Sequence, residues 1–177
     1  METGVIDDVT LAEVPLIQRA IIANLMQLYL HDFSEFAAIG TNHGDIAADG
    51  RFVYDWLDTY WQEAGRVPLS IAADDRLAGF ALVNRWSALN RPLDQSVAEF
   101  FVLRKYRRAK VGSRAAKLLF ERFPGRWEVP VARYNKPALT FWRSSIAAAI
   151  DQTAEERAGD GDRWVGTVLC FDTRSRR

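Results

Sequence analysis

The strongest structural signal in this sequence is the segment Glu99-Phe-Phe-Val-Leu-Arg-Lys-Tyr-Arg-Arg-Ala-Lys-Val-Gly-Ser-Arg-Ala-Ala-Lys-Leu-Leu-Phe120. The region from Val97 to Arg104 is rich in Phe and Val, which predicts a buried strand. Five of the seven residues at 104–110 are Arg or Lys. Small and apolar residues then recur at positions 112, 115, 116, 119, 120 and 123. This spacing predicts an amphipathic helix, so the order is strand, basic loop and helix.

A basic loop in front of a helix is a candidate anion site. The first amides of a helix have no backbone partner, and the helix dipole is positive at that end. Nearby Arg and Lys side chains add charge, which suits a phosphate or pyrophosphate group. The same pattern also fits an ordinary strand–turn–helix connection with solvated arginines, because helix ends of this kind are common.

Part of this segment, Tyr106-Arg-Arg-Ala-Lys-Val-Gly-Ser113, resembles the acetyl-CoA signature of the GNAT acetyltransferase superfamily. That signature runs Gln/Arg-x-x-Gly-x-Gly/Ala after a strand. Arg107 matches its first position and Gly112 its last, whereas Lys110 stands at the position of its first glycine. A glycine at that position lets the backbone approach a phosphate without a Cβ, and lysine adds both charge and bulk.

A second segment, Asn135-Lys-Pro-Ala-Leu-Thr-Phe-Trp142, is similar to the later Asn-x-x-Ala-x-x-Phe/Leu-Tyr motif of the same superfamily. Trp142 replaces the tyrosine that many members use to protonate the departing CoA thiolate. Because an indole N–H has no dissociable proton near neutral pH, Trp142 is predicted to pack in the core. The resemblance covers about residues 70–171. The segments at 28–36 and 123–129 resemble a branch of uncharacterised predicted acetyltransferases.

The resemblance implies a single GNAT-like domain over residues 1–177, of mixed α/β class. The implied architecture is a central mixed sheet of six or seven strands, flanked by about four helices and splayed open at the strand that holds Glu99. The implied activity is transfer of an acetyl group from acetyl-CoA to the amine of a small molecule or peptide by direct attack, with no metal. The alternative is a degenerate module that binds CoA, or another phosphorylated ligand, without turnover.

The resemblance also implies which residues contact acetyl-CoA. The backbone of the strand would bind the pantetheine arm as an added strand does, and the loop would hold the pyrophosphate. The implied cofactor-binding residues are Phe101, Val102, Leu103, Arg107, Arg108, Ala109, Lys110, Val111, Gly112, Ser113 and Asn135. For Asn135 a role as the N-cap of the following helix is an equally good explanation.

Glu99 is the candidate catalytic residue, because it is the acidic side chain inside an otherwise apolar strand. Burial raises the pKa of a carboxyl group toward the range that a general base needs. In the GNAT picture Glu99 takes a proton from the amine, directly or through a water, and an amide near Val102 holds the developing negative charge. The alternative is a surface carboxylate at the wet face or edge of the sheet.

The acceptor amine is predicted to bind to residues from the first third of the chain. The candidates are Asp32, Phe33, Glu35 and Tyr54. Carboxylates attract a cationic amine, and aromatic faces do so as well. The acidic stretch also fits a solvated surface loop, and the aromatic residues at 54–61 also fit core packing.

Local patterns predict the remaining elements. A first helix is expected over residues 10–30, where Thr10 and Glu13 have capping-box spacing, and a second over 54–61. Strands are expected at 67–73, 77–84, 125–131 and 163–171, with a helix after Asn135. The stretch 151–162 is charged and contains glycine, and no element is predicted in it. The tail from Arg174 is expected to fray.

Composition excludes several classes of protein. The 23 Lys and Arg residues balance 23 Asp and Glu residues, which argues against a general nucleic-acid binder. The single cysteine, Cys170, cannot form an internal disulfide, and no Cys/His spacing suggests zinc. We expect no membrane partner and a cytoplasmic location, because the sequence shows neither a signal pattern nor a long apolar run. Dimers are common in the superfamily, so the resemblance is compatible with a homodimer, but no pattern in the sequence marks an interface.

Overall fold

A computed structural model describes residues 5–39 and 44–174. The remaining positions, including the predicted fraying end at 175–177, lie outside the described residues. Within the described ranges the elements in chain order are β1 (Val9–Glu13), α1 (Arg19–Ser34), α2 (Thr59–Gln62), β2 (Val67–Ala73), β3 (Arg76–Asn84), β4 (Gln95–Val102), α3 (Val111–Arg122), β5 (Arg126–Ala132), α4 (Lys136–Ile150), β6 (Glu155–Ala158) and β7 (Gly166–Asp172). Single 3-10 turns precede α1 at Leu16–Gln18 and α3 at Arg104–Tyr106.

One seven-stranded sheet runs through the molecule in the order β1-β2-β3-β4-β5-β7-β6. Strands β1 to β4 pair antiparallel, whereas β4 and β5 are parallel. Their pairing is confined to two positions, Gln95 with Trp127 and Ser96 with Glu128. Both strands continue beyond these pairs, so the sheet opens along β4 from Val97 onward. This confirms the predicted mixed α/β class, the strand number and the splayed strand.

A β-bulge in β4 sets the direction of Glu99. Leu82 pairs with Glu99 and Val83 pairs with Val97, so Ala98 is an extra residue in β4. A bulge of this kind changes the alternation of side chains along a strand. Ala98 and Phe101 therefore both pack on the α1 side of the sheet, where Glu99 also meets its partners.

Apolar helix faces cover both sides of the sheet. In α1 the residues Ile22, Leu25, Met26 and Tyr29 follow helical spacing and pack against the Phe80 side of the sheet. The opposite face holds α3 and α4 with a cluster of large aromatic side chains. That cluster consists of Phe100, Phe120, Trp127, Phe141, Trp142 and Phe171. The covered faces leave the gap between β4 and β5 as the main irregularity of the sheet.

Two predicted elements are wrong. Residues 9–13 form strand β1 rather than the start of a helix, because they pair with β2 from Val9–Ala73 to Glu13–Leu69. The regular helix begins only at Arg19. The stretch 151–162, where no element was predicted, contains β6, an exposed edge strand that pairs with β7. The partner of β1 lies far away in the chain, whereas β6 pairs with the strand that follows it. The predicted second helix is also shorter, since α2 covers only Thr59–Gln62.

A buried carboxylate anchors the connection between β3 and β4. Glu128 on β5 has no exposed surface. It accepts hydrogen bonds from the Ser87 hydroxyl at 3.0 Å, the Ala88 amide at 2.8 Å and Arg91 Nε at 2.8 Å. Because each of these donors belongs to the same connection, Glu128 holds that segment onto the sheet beside the point where β4 and β5 separate.

The described helices include none that is long and apolar enough to cross a bilayer. Among the same residues, no cluster of three or more His, Cys, Asp or Glu side chains is arranged to hold a metal ion.

Candidate active site

A cavity of about 700 Å³ lies beside the opened part of the sheet. Its walls come from the second half of α1, the end of β4, the basic loop, the start of α3 and one face of α4. Predicted site residues in these walls are Asp32, Phe33, Glu35, Phe101, Val102, Arg107, Arg108, Lys110, Gly112, Ser113 and Asn135. The structure thus brings together residues from distant parts of the chain, and their individual roles stay predictions.

Other predicted site residues lie behind the cavity wall. Val111 is fully buried and packs in the core instead of lining the cavity. Ala109 and Leu103 pack against the apolar cores, and the Leu103 amide donates to Ala78 O at 2.8 Å. Glu99 and Tyr54 do not line the cavity either, and their side chains are hydrogen-bonded to each other.

At two positions the basic loop has the left-handed backbone conformation that glycine favours, although neither residue is a glycine. Lys110 is the N-cap of α3 and has φ 58° and ψ 9°, in the left-handed region. Arg108 has a positive φ as well, at 69°. The left-handed region costs a residue with a Cβ about 1–2 kcal/mol, so glycine would fit this backbone with less strain than lysine. The Lys110 carbonyl accepts from the Arg114 amide and the Ser113 hydroxyl, both at 3.0 Å.

Replacing Lys110 by glycine is expected to stabilise the fold by about 0.5–1 kcal/mol, because relief of the left-handed strain exceeds the extra chain entropy of glycine. Urea unfolding measures the difference. Lys117→Gly is the matched control: it removes the same side chain inside α3, where glycine is expected to cost about 1 kcal/mol. Equal destabilisation by both variants would contradict the strain at Lys110.

Gly112 is required by close packing. A Cβ at Gly112 would lie 3.1 Å from Cε2 of Phe141 on α4 and 3.7 Å from a methyl group of Val102. The first turn of α3 therefore sits directly against α4 and β4 at the wall of the cavity. The amides of that turn have no partner within the helix and remain for a ligand.

Asp32 is engaged by the arginines of the loop. Its carboxylate accepts from Arg104 Nη2 at 2.7 Å and from Arg107 Nη2 at 2.6 Å. Burial favours a higher pKa for Asp32, but the two arginines outweigh it and hold the pKa below its ordinary value of 3.8. Arg107 Nε also donates to Val102 O at 2.8 Å. Two groups predicted for different ligands, Asp32 and Arg107, thus bind each other.

Glu99 lies among phenol side chains. The Tyr29 hydroxyl hydrogen-bonds to Oε2, and the Tyr54 hydroxyl donates to Oε1 at 3.0 Å. Burial raises the pKa of Glu99 from 4.5 to about 7, although both hydroxyls oppose the rise by stabilising the carboxylate. Burial and the neighbouring carboxylate also raise the pKa of both Tyr29 and Tyr54 above 10. A carboxyl group that titrates near neutrality suits proton transfer.

At α4, Asn135 and Trp142 have the structural roles that the sequence predicts for them. The Asn135 side chain caps α4 by accepting from the Ala138 amide at 3.2 Å. Trp142 is buried in the core, where its ring packs edge-on against Phe100 at 4.9 Å. The predicted contact of Asn135 with a cofactor arm is compatible with its cap, since Asn135 also lines the cavity.

Sequence reasoning missed several residues of the cavity wall. They are Tyr29, Phe36, Phe100, Arg104, Pro137, Ala138, Phe141 and Ser145. A signal for Tyr29 was present, because Tyr29, Asp32, Phe33 and Phe36 lie three to four positions apart and share one face of a helix. Ser145 had no comparable signal. Its buried hydroxyl lines the cavity without a hydrogen-bond partner.

Comparison with protein-family models gives no match, and comparison with curated proteins gives none either. Solved structures do match. An acetyltransferase from Thermus thermophilus is 15% identical with a TM-score of 0.61, over 95% of this chain and 97% of that chain. An acetyltransferase of the GNAT family from Staphylococcus aureus is 9% identical with a TM-score of 0.59, over 94% and 99%. The chain has the GNAT fold.

A third match with the GNAT fold is the paia N-acetyltransferase from Thermoplasma acidophilum in complex with coenzyme A, at 10% identity and a TM-score of 0.51, over 93% of this chain and 99% of that chain. The matches span nearly the whole of each protein, so the fold is shared from end to end. At these identities the likeness establishes the fold, and the chemistry depends on the residues in the cavity of this chain.

Proposed function

We propose that this protein is an N-acetyltransferase that moves an acetyl group from acetyl-CoA to the amine of a small molecule or peptide. One observation carries the proposal. A single cavity is bounded by the start of α3 at Gly112, whose first amides have no partner within the helix, and by Tyr29, whose hydroxyl bonds to the Glu99 carboxylate. The known GNAT neighbours are acetyltransferases, and one of them holds coenzyme A, which supports the same conclusion.

The cavity has features that suit acetyl-CoA. The amides at the start of α3, together with Arg108 and Lys110, offer donors and positive charge for a pyrophosphate group. The wall also has apolar rings, such as Phe100 and Phe141, for an uncharged arm.

Acetyl-CoA and the residues of this chain have separate roles in the proposed reaction. When bound, acetyl-CoA supplies an acetyl group activated as a thioester. Glu99 removes the proton that keeps an amine unreactive at neutral pH, and the amide of Val102 is the candidate donor to the carbonyl oxygen as charge develops on it. Trp142 lies in the core and has no dissociable proton, so water is the proposed proton source for the thiolate.

The test combines binding with turnover. Acetyl-CoA and desulfo-CoA are each added in a thermal-shift measurement, and release of free thiol from acetyl-CoA is followed across a panel of amines. Stabilisation by both nucleotides with thiol release for one amine supports the enzyme. Stabilisation without release from any amine would instead support a CoA-binding module, and an absence of stabilisation would reject both functions.

Replacing Asp32 by asparagine is expected to strengthen acetyl-CoA binding about fivefold, because Arg104 and Arg107 no longer have to give up an ion pair, worth up to about 1 kcal/mol at a surface, to bind the pyrophosphate. Calorimetric titration at low salt measures the change. Glu35→Gln is the matched control, because it removes a charge from the same wall without breaking the Asp32 ion pairs. Weaker binding by Asp32→Asn would show that Asp32 holds Arg104 and Arg107 in their binding positions.

A further inference from the structure

The carboxylate of Glu99 has one tyrosine on each oxygen. Tyr29 comes from α1 and Tyr54 from the segment before α2, so the two hydroxyls approach from different elements. They differ in their relation to the cavity. Among the described residues, Tyr29 belongs to the cavity wall, whereas Glu99 and Tyr54 do not. A ligand in this cavity therefore contacts Tyr29, whose hydroxyl is hydrogen-bonded to the Glu99 carboxylate.

The Tyr29 ring is held firmly in place. It packs against Phe33 at a centroid distance of 4.6 Å, against Phe80 at 5.8 Å and against Phe101 at 5.9 Å. Aromatic contacts at these distances restrict the ring, so the hydroxyl is held against Glu99. A fixed hydroxyl is suited to proton transfer, because a hydroxyl can accept one hydrogen bond while it donates another.

We propose that Tyr29 is a catalytic residue that relays the proton of the acceptor amine to Glu99. The proposal rests on the acetyltransferase function proposed above and adds the route by which the base reaches the substrate. Tyr54, on the other oxygen, is a positioning residue that holds the carboxylate without contacting the amine.

The proton relay involves three groups, which are the substrate ammonium, Tyr29 and Glu99, and no proton is lost or gained among them. One N–H proton of the substrate ammonium passes to Tyr29 Oη, and the proton of Tyr29 passes to Glu99 Oε2. The amine becomes neutral and Glu99 becomes a neutral acid, while Tyr29 ends with the same number of protons. Because burial raises the pKa of Tyr29 well above 10, a free tyrosinate is disfavoured and the two transfers occur together. Glu99 returns its proton to solvent before the next turnover.

The titratable groups that face Glu99 are phenols from each element packed around it. Tyr29 comes from α1, Tyr54 precedes α2, Tyr60 lies in α2, and Tyr134 lies between β5 and α4. The charge of Glu99 contributes to a raised pKa in each of these phenols. Near neutral pH these phenols stay protonated, so the rising limb of the activity profile reports Glu99.

The test compares Tyr29→Phe with Tyr54→Phe, because each variant removes one hydroxyl from the same carboxylate. At pH 8, Tyr29→Phe is expected to lose about 100-fold or more in kcat, as expected for loss of a proton-transfer group, and Tyr54→Phe less than about tenfold. A proton inventory in mixtures of H₂O and D₂O is expected to show two transferred protons in the wild type and in Tyr54→Phe, but one in Tyr29→Phe.

A readout without turnover accompanies these rates. Carbon-13 NMR of the Glu99 carboxyl in the ligand-free protein is expected to titrate at a higher pH in both variants, since each loses a donor to the carboxylate. Equal rates for the two variants at pH 8, or a single transferred proton in the wild type, would overturn the relay and leave the proposed function intact. A wild-type protein that releases no thiol with any amine would overturn both.

Discussion

Replacing Glu99 by glutamine is expected to lower kcat/KM by about 100-fold or more at pH 7, because a positioned general base contributes about 10²–10⁴ to the rate. Glutamine keeps the size of the side chain and can still bind Tyr29 and Tyr54, but it cannot accept a proton. The loss is expected mainly between pH 7, above which the wild-type Glu99 is ionised, and the pKa of the amine, above which the amine is already neutral. The wild-type rate should rise with a midpoint near pH 7, where Glu99 ionises.

Acetyl-CoA binding by Glu99→Gln, measured by calorimetry, serves as the control, since the variant should bind as the wild type does. An unchanged pH–rate profile would remove Glu99 from the role of base.

Glu99→Gln is expected to lower the rate but to raise the free energy of unfolding. The pKa of Glu99 is about 7 in the folded protein against an ordinary 4.5, so folding disfavours the charged form. Below about pH 4.5 the carboxyl is protonated in both states and nothing is lost. Between pH 4.5 and 7 the unfolded chain ionises first, and above pH 7 the wild type carries a penalty of at most about 3 kcal/mol. Urea unfolding should therefore find Glu99→Gln more stable than the wild type at pH 8 and equal at pH 4.

Replacing Glu128 by alanine is expected to destabilise the fold by about 3–5 kcal/mol, the effect expected when one partner of a buried ion pair is removed. Glu128 is fully buried and accepts from Ser87, Ala88 and Arg91, so its loss leaves several donors without a partner. The free energy of unfolding from urea titration measures the effect.

An exposed ion pair provides the matched control for Glu128. Glu155 on β6 bonds to Arg157 at 2.9 Å, but both side chains are about half exposed. Glu155→Ala is therefore expected to change the free energy of unfolding by less than about 1 kcal/mol. If Glu128→Ala were as mild as Glu155→Ala, the buried cluster would not anchor the connection between β3 and β4.

Local patterns predicted β2, β3, β4, α3, β5 and α4 close to their observed bounds. These elements have strong periodicity or clear punctuation, such as Asn135 and Pro137 at the start of α4. The same reasoning was wrong for β1 and missed β6. In β1 the local capping signal at Thr10 and Glu13 was outweighed by pairing with β2, about 60 residues away. A local window contains no information about such a partner.

The candidate site also has one part that the sequence predicted and another that it did not. Glu99, the loop at 104–110 and Gly112 are close together in the sequence, so their pattern was visible, and much of the predicted set lines the cavity. Their partners were not visible. Asp32 reaches Arg107 across 75 positions, and Tyr29 reaches Glu99 across 70. Only the α1 face, packed on the sheet beside the bulge in β4, brings these groups together.

The sequence by itself determined the order of strand, basic loop and helix, and with it the start of α3 as a candidate anion site, because these properties depend on neighbouring residues and backbone amides. The tertiary structure decided what those residues touch: the left-handed backbone at Lys110, the arginines held by Asp32, and the tyrosines that surround Glu99. The physical reason is that burial and long-range contacts set the charge state of a carboxyl group and the direction of a side chain, and both depend on the whole packed chain.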